Sequence, residues 1–170
     1  DTGSTDGTPD KLKELGAQVY HISQKPWRFD IARNTALNLI PADIDVCISM
    51  DLDECLIDGW RQALENTWTP NTTRLGYDYI WDWTEDRKPN TRFFADKIHA
   101  RYNYVWKHPC HEALYYVGPD KEHKEIADSL TVAHYSDPNK SRKQYISLLK
   151  LAVDEDPTND RMRYYYAREL

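Results

Sequence analysis

Apolar residues recur along this chain with two periods, near 3.6 and near 2, and the alternation between them sketches the fold. Asp1 to Thr8 holds Gly, Ser, Thr and Asp without an apolar repeat and predicts a loop. Pro9 to Leu15 predicts a short helix, capped by Thr8, with proline at its first position and Gly16 ending it. Ala17 to Ile22 predicts a strand, and Phe29, Ala32, Ala36, Leu39 and Ile40 fall on one helical stripe that Pro41 stops. Val46 to Met50 is nearly filled by valine, cysteine, isoleucine and methionine, which suits a strand covered on both faces in a parallel sheet. This succession is the grammar of an α/β sheet.

The second half has a different texture. Asp58 to Asn66 predicts a helix. Arg74 to Trp83 and Phe93 to Trp106 are rich in Tyr, Trp, Ile and Phe and predict strands, joined by a hairpin around Glu85 to Asn90. Leu130 to Tyr135 predicts another strand. From Lys140 the pattern becomes helical, with Tyr145, Leu148, Leu149 and Ala152 on one face. The run Asp156-Pro157-Thr158-Asn159-Asp160 breaks that helix and caps a second, Arg161 to Leu170. The expected division is 1–137 as one α/β domain and 138–170 as a helical hairpin, the possible first unit of a repeat array.

Bulk properties narrow the function classes. A net charge of −6 disfavours nucleic acid as a partner. The chain has 6 Trp and 12 Tyr, enough both to build a core and to line a sugar-binding cleft. Cys47, Cys55 and Cys110 have no zinc or disulfide spacing, which fits a reducing, cytoplasmic compartment. No apolar run has the length of a membrane span.

The chemistry concentrates in two places. Asp51-Leu52-Asp53-Glu54 follows the apolar strand at its carboxyl end, where α/β sheets bind ligands. Two carboxylates about 4 Å apart repel by roughly 4 kcal/mol at an effective dielectric near 20, so a neutralising partner is expected, and a divalent cation holding a phosphate is the usual one. A solvated loop or a helix cap explains the same residues without a metal. Asp1-Thr2-Gly3-Ser4-Thr5-Asp6-Gly7-Thr8 places two glycines and several short polar groups before a helix N-terminus, which suits an anion. An ordinary Asx or Ser turn is the alternative.

Taken in order, the Asp1–Thr8 loop, Phe29-Asp30-Ile31-Ala32-Arg33-Asn34 and Met50-Asp51-Leu52-Asp53-Glu54 resemble the family-2 glycosyltransferases of the GT-A fold. His111-Glu112 and His134-Tyr135 resemble a bacterial-type subgroup with tetratricopeptide-like helices behind the catalytic domain. The resemblance implies a GT-A, Rossmann-like mixed sheet with helices on both faces, followed by a C-terminal helical hairpin. It implies transfer of a sugar from a nucleotide-diphosphate sugar, a UDP-sugar first, to an acceptor the sequence does not name, with inversion and with Mn²⁺ or Mg²⁺ as cofactor. By the same resemblance Asp1, Ser4, Asp6, Arg33, Asn34 and Asp51 bind the nucleotide sugar, Asp53 and His134 ligate the metal, and Glu112 is the catalytic base. Trp81, Trp106 and His111 are candidate sugar or acceptor contacts, with core packing as the alternative for the tryptophans. The C-terminal helices offer a docking face for a protein partner. The family begins with a strand before the first acidic loop, so a fragment lacking that strand is expected here.

Two other functions use the same residues. A haloacid-dehalogenase-like phosphatase would make Asp51 the nucleophile and Asp53 its acid/base, and would need a later lysine and a later acidic pair. A non-catalytic module would bind the nucleotide sugar without turning it over.

Overall fold

The computed structural model describes residues 1–137 and 144–170, so the first part of the predicted helical segment, 138–143, lies outside the described residues. The chain divides into two compact units. The first comprises Asp1–Leu39, Trp106–Ala113 and the described residues from Gln144 onward; the second comprises Ile40–Val105 and Leu114 to Asp137.

The first unit is helical. Helix α1 spans Thr8–Glu14 and α2 spans Phe29–Leu39. The cap of α1 is Gly7 rather than the expected Thr8: Gly7 has φ 80°, which a glycine adopts without strain, and Asp6 Oδ1 accepts the Thr8 N–H at 3.0 Å. Ala17 to Ile22 forms no strand. Its backbone meets Asp1 at two points, Asp1 N donating to Tyr20 O at 2.6 Å and Ile22 N to Asp1 O at 2.9 Å, and an extended run without a partner strand makes no ladder. Helices α4 (Tyr145–Glu155) and α5 (Asp160–Glu169) follow, with Asn159 capping α5 by accepting the Met162 N–H at 3.1 Å. Leu148 and Leu149 pack with Cys110, Trp27, Phe29, Tyr165 and Tyr166 into one core. Arg28 joins this core's rim to two elements, pairing with Asp30 at 2.8 Å on α2 and with Glu155 on α4.

The second unit is a mixed five-stranded sheet. Its strands are β1 (Val46–Ile48), β2 (Glu54–Leu56), β3 (Arg74–Ile80), β4 (Arg92–Ala100) and, after β5 (Tyr104–Lys107) and β6 (Ala113–Tyr116), β7 (Lys124–His134). The order is β1-β4-β3-β7-β2, with β3 and β7 parallel and every other pair antiparallel. The predicted hairpin is present: β3 and β4 pair antiparallel, and a Trp83–Pro89 bridge closes their connection. Strands β5 and β6 form a separate two-stranded ribbon.

One expectation is corrected here. Strand β1 is not a parallel strand inside the sheet but an edge strand antiparallel to β4, with Cys47 buried and Val46 and Ile48 half-buried. A short apolar run reads alike in either setting, because hydrophobicity reports burial and not the direction of the neighbour. Helix α3 (Trp60–Thr67) packs Ala63, Trp60 and Leu64 against Leu75, Tyr77, Ile98, Leu130 and Val132. Each of those aliphatic side chains contributes about 1.5–3 kcal/mol by leaving water.

Candidate functional site

The acidic turn of the second unit is built from its backbone outward. Glu54 N donates to Asp51 O at 3.1 Å, closing the turn, and Glu54 Oε2 accepts the Asp51 N–H at 2.8 Å. The Glu54 carboxylate is only 1% exposed, and Oε1 also accepts from Tyr79 Oη at 2.7 Å and from Lys97 Nζ at 2.6 Å. Lys97 comes from β4, which β1 pairing sets alongside the turn: Ser49 N donates to Lys97 O at 3.1 Å. The same ammonium stands 3.6 Å from Asp51 Oδ2. Burial, with help from the Glu54 hydrogen bond, raises the Tyr79 hydroxyl well above the usual phenol range, so it remains a donor.

Asp53 faces a different partner. Strands β2 and β7 pair Glu54 with His134, and Tyr135 N donates to Asp53 O at 2.8 Å, which brings His134 Nε2 to 3.4 Å from Asp53 Oδ2. The other ring nitrogen, Nδ1, lies 2.9 Å from Trp81 O. A carbonyl only accepts, so Nδ1 carries the proton and the outward Nε2 presents either a lone pair or a second N–H. Trp81 stacks on that imidazole at 4.9 Å with 22° between planes and stays 46% exposed. Trp83 donates its indole N–H to His134 O at 2.8 Å and stacks on Tyr135.

Each aspartate thus has its own neighbour within the unit. Lys97 compensates Asp51, and His134 stands beside Asp53. Glu54, Lys97 and Tyr79 were not among the residues singled out from the sequence. Glu54 was visible as the last acid of the run, but Lys97 lies 43 residues from Glu54 and carries no local signal. Two further arginines of this unit are engaged with the chain itself: Arg92 pairs with Asp78, and Arg101 donates to Ile40 O at 2.7 Å.

The first unit holds the remaining predicted residues. Asp1 is an Asx turn: its carboxylate accepts the Gly3 N–H at 2.9 Å and the Ser4 N–H at 3.2 Å and lies 3.1 Å from His21 Nδ1. Asp6 accepts from Thr8, which lowers its pKa. Asn34 uses both ends of its amide on one backbone residue, donating to Trp106 O at 2.8 Å and accepting the Trp106 N–H at 2.9 Å. It thus pins the 106–113 segment to α2. Trp106 is 4% exposed, and the Arg33 guanidinium lies over its ring at 4.7 Å. Arg33 Nε also donates to Glu112 Oε1 at 2.5 Å, with the Glu112 carboxylate 12% exposed. His111 stacks face to face on Tyr165 at 4.0 Å. Burial first, then Arg168 and Arg161, lower its pKa, so the ring is held neutral.

Among the described residues no group of three or more His, Cys, Asp or Glu side chains is placed to share a metal ion, and no helix is long and apolar enough to cross a membrane. Cys47, Cys55 and Cys110 are free thiols. No family model and no curated protein matches the chain.

Proposed function

We propose that this chain is a divalent-metal-dependent glycosyltransferase that takes a nucleotide-diphosphate sugar as donor, in a GT-A-type fold. The observation that carries the reading is the convergence of Asp53 and His134. Two cis ligands of a cation bound at about 2.1 Å stand about 3 Å apart, and the Oδ2–Nε2 separation here is 3.4 Å. The Trp81 carbonyl supplies the outer hydrogen bond that fixes the tautomer of a metal-binding histidine. Two protein ligands suit Mn²⁺ or Mg²⁺, which keep their other positions for phosphate oxygens and water.

When bound, the cation would supply Lewis-acid stabilisation of the diphosphate leaving group. The residues of the chain do the rest. Lys97 and Glu54 hold Asp51 in a fixed turn for the donor. Trp81 presents an exposed ring face of the kind that packs on the C–H face of a sugar. Glu112, oriented by Arg33, is the carboxylate assigned to the acceptor: it takes the hydroxyl proton as the oxygen bonds to the anomeric carbon and the bond to the diphosphate breaks, its electron pair leaving with the phosphate oxygen. The reaction inverts the anomeric centre.

The test is isothermal titration of UDP with and without Mn²⁺, alongside a nucleotide-sugar panel scored for Mn²⁺-dependent hydrolysis. Wild type binds UDP more tightly with Mn²⁺, and Asp53→Ala and His134→Ala each lose that increment. Equal UDP affinity with and without Mn²⁺ refutes the metal assignment. One observation favours the phosphatase alternative, since Lys97 beside Asp51 is the lysine that chemistry requires. Its acid/base, Asp53, however, faces His134. Phosphate release from p-nitrophenyl phosphate, lost in Asp51→Asn, would decide for it.

A further inference from the structure

We infer that the last helix, α5, is a positioning element of the His111–Glu112 turn rather than a free-standing docking module, with Tyr165 and Arg161 as the residues that set the turn. The inference rests on the proposed role of Glu112 as base. Three independent observations carry it, all within the first unit. First, His108 and His111 both have left-handed backbones, φ 84° and 50°. Non-glycine residues keep such conformations only where their surroundings impose them, and such residues gather at functional turns. Second, α5 holds His111 from two sides: Arg161 Nη1 donates to His111 O at 2.6 Å, and the Tyr165 ring lies parallel to the imidazole, 8° between planes. Tyr165 is held in turn by the guanidinium groups of Arg161 and Arg168, 5.2 Å and 5.0 Å from its centroid. Third, Nε2 of His111 is buried without a hydrogen-bond partner among the described residues. A ring placed for its own hydrogen bonding would not leave that atom unpaired, so ring contacts place it, the closest being the face-to-face stack on Tyr165 at 4.0 Å, with Tyr145 edge-on at 5.9 Å. Glu112 is the next residue, and the direction of its carboxylate toward Arg33 is set by the backbone that α5 clamps.

The experiment uses the full chain and two readouts. Hydrogen exchange of the His108, Cys110, His111 and Glu112 amides reports whether α5 holds the turn. It accelerates about tenfold or more in Tyr165→Leu and Arg161→Ala, while β3 and β7 amides are unchanged and Tyr165→Phe, which keeps the stack, matches wild type. Release of UDP from the best-hydrolysed sugar of the panel reports whether the turn positions the base. In the two disruptive variants kcat falls about tenfold or more, with KM for the donor and Mn²⁺-dependent UDP affinity within about twofold. A folded Arg161→Ala protein with unchanged exchange at 108–112 overturns the inference. So does unchanged kcat when Glu112→Gln is inactive. If Glu112→Gln itself retains full turnover, or no sugar of the panel is hydrolysed, the parent reading fails, and the role of α5 in setting the base falls with it.

Discussion

Replacing Glu54 probes the support beneath the acidic turn most directly. Its carboxylate is 1% exposed and receives three donors: the Asp51 N–H at 2.8 Å, the Tyr79 hydroxyl at 2.7 Å and the Lys97 ammonium at 2.6 Å. Breaking a buried ion pair by removing one partner costs about 3–5 kcal/mol. Lys97 is 21% exposed and retains Asp51 nearby, which moves its share toward the lower end of that range. The stranded Tyr79 hydroxyl adds about 1–3 kcal/mol unless it finds water. Glu54→Ala should therefore lose about 3–6 kcal/mol, a fall in Tm of about 6–24 °C at 2–4 °C per kcal/mol for a chain of this size. Glu54→Gln keeps the shape and two acceptor contacts and should lose about half as much. The assay is urea denaturation followed by far-UV circular dichroism and tryptophan fluorescence, in a double-mutant cycle of Glu54→Gln with Lys97→Met. The expected coupling is about 1–3 kcal/mol. Additivity within about 0.5 kcal/mol would show that the two side chains do not share the interaction and would refute the support role.

Three further outcomes follow from the same geometry. Asn34→Ala should destabilise the protein by about 1–3 kcal/mol, because the Trp106 N–H and C=O lose their partner, yet leave UDP affinity within about twofold; a large affinity loss in a stable variant would make Asn34 a nucleotide ligand instead. Burial pushes the Cys110 thiol up to about 11 and raises Cys47, while Cys55 is exposed, so a thiol reagent at pH 8 should label Cys55 quickly and the other two only on unfolding; three fast equivalents would contradict the buried placement. Burial, together with Arg74 and Arg101, lowers the pKa of His99, so between that value and the unfolded value near 6.5 the unfolded chain binds a proton the folded one does not. Stability should thus be intact above about pH 6.5 and fall on acidification by up to about 1.4 kcal/mol per pH unit from this residue, and His99→Gln should flatten the urea-midpoint profile by up to one proton. His108 and His111 shift the same way and keep part of the slope.

Much of the local structure was legible in the sequence. The stripe from Phe29, the breaker at Pro41, the aromatic hairpin and the capped helix after Asn159 all correspond to elements of the structure, because each is decided by residues within a turn or two of one another. The candidate site was legible in part. Asp53 and His134 were both singled out, and β2–β7 pairing does bring them together. Charge repulsion between the two acids is relieved in part within the chain, since Lys97 stands beside Asp51. Asp1 and Asn34 read as ligand-binding residues, yet their polar atoms serve the backbone of Gly3, Ser4 and Trp106. A short polar side chain has the same signature in sequence whether it meets a ligand or an internal amide.

Residue order alone specified the helices from Phe29 onward and the longer strands, though not β2 or β6, and it located the carboxylates, imidazoles and tryptophans along the chain. Those follow from local sterics and from burial of apolar area, both written in residue order. That β1 is an antiparallel edge strand, that a lysine from β4 reaches Asp51, and that Tyr165 stacks on His111 emerges only when distant segments pack. Strand neighbours and buried ion pairs join residues tens of positions apart, and the free energy that selects them depends on which surfaces meet, which no local pattern encodes.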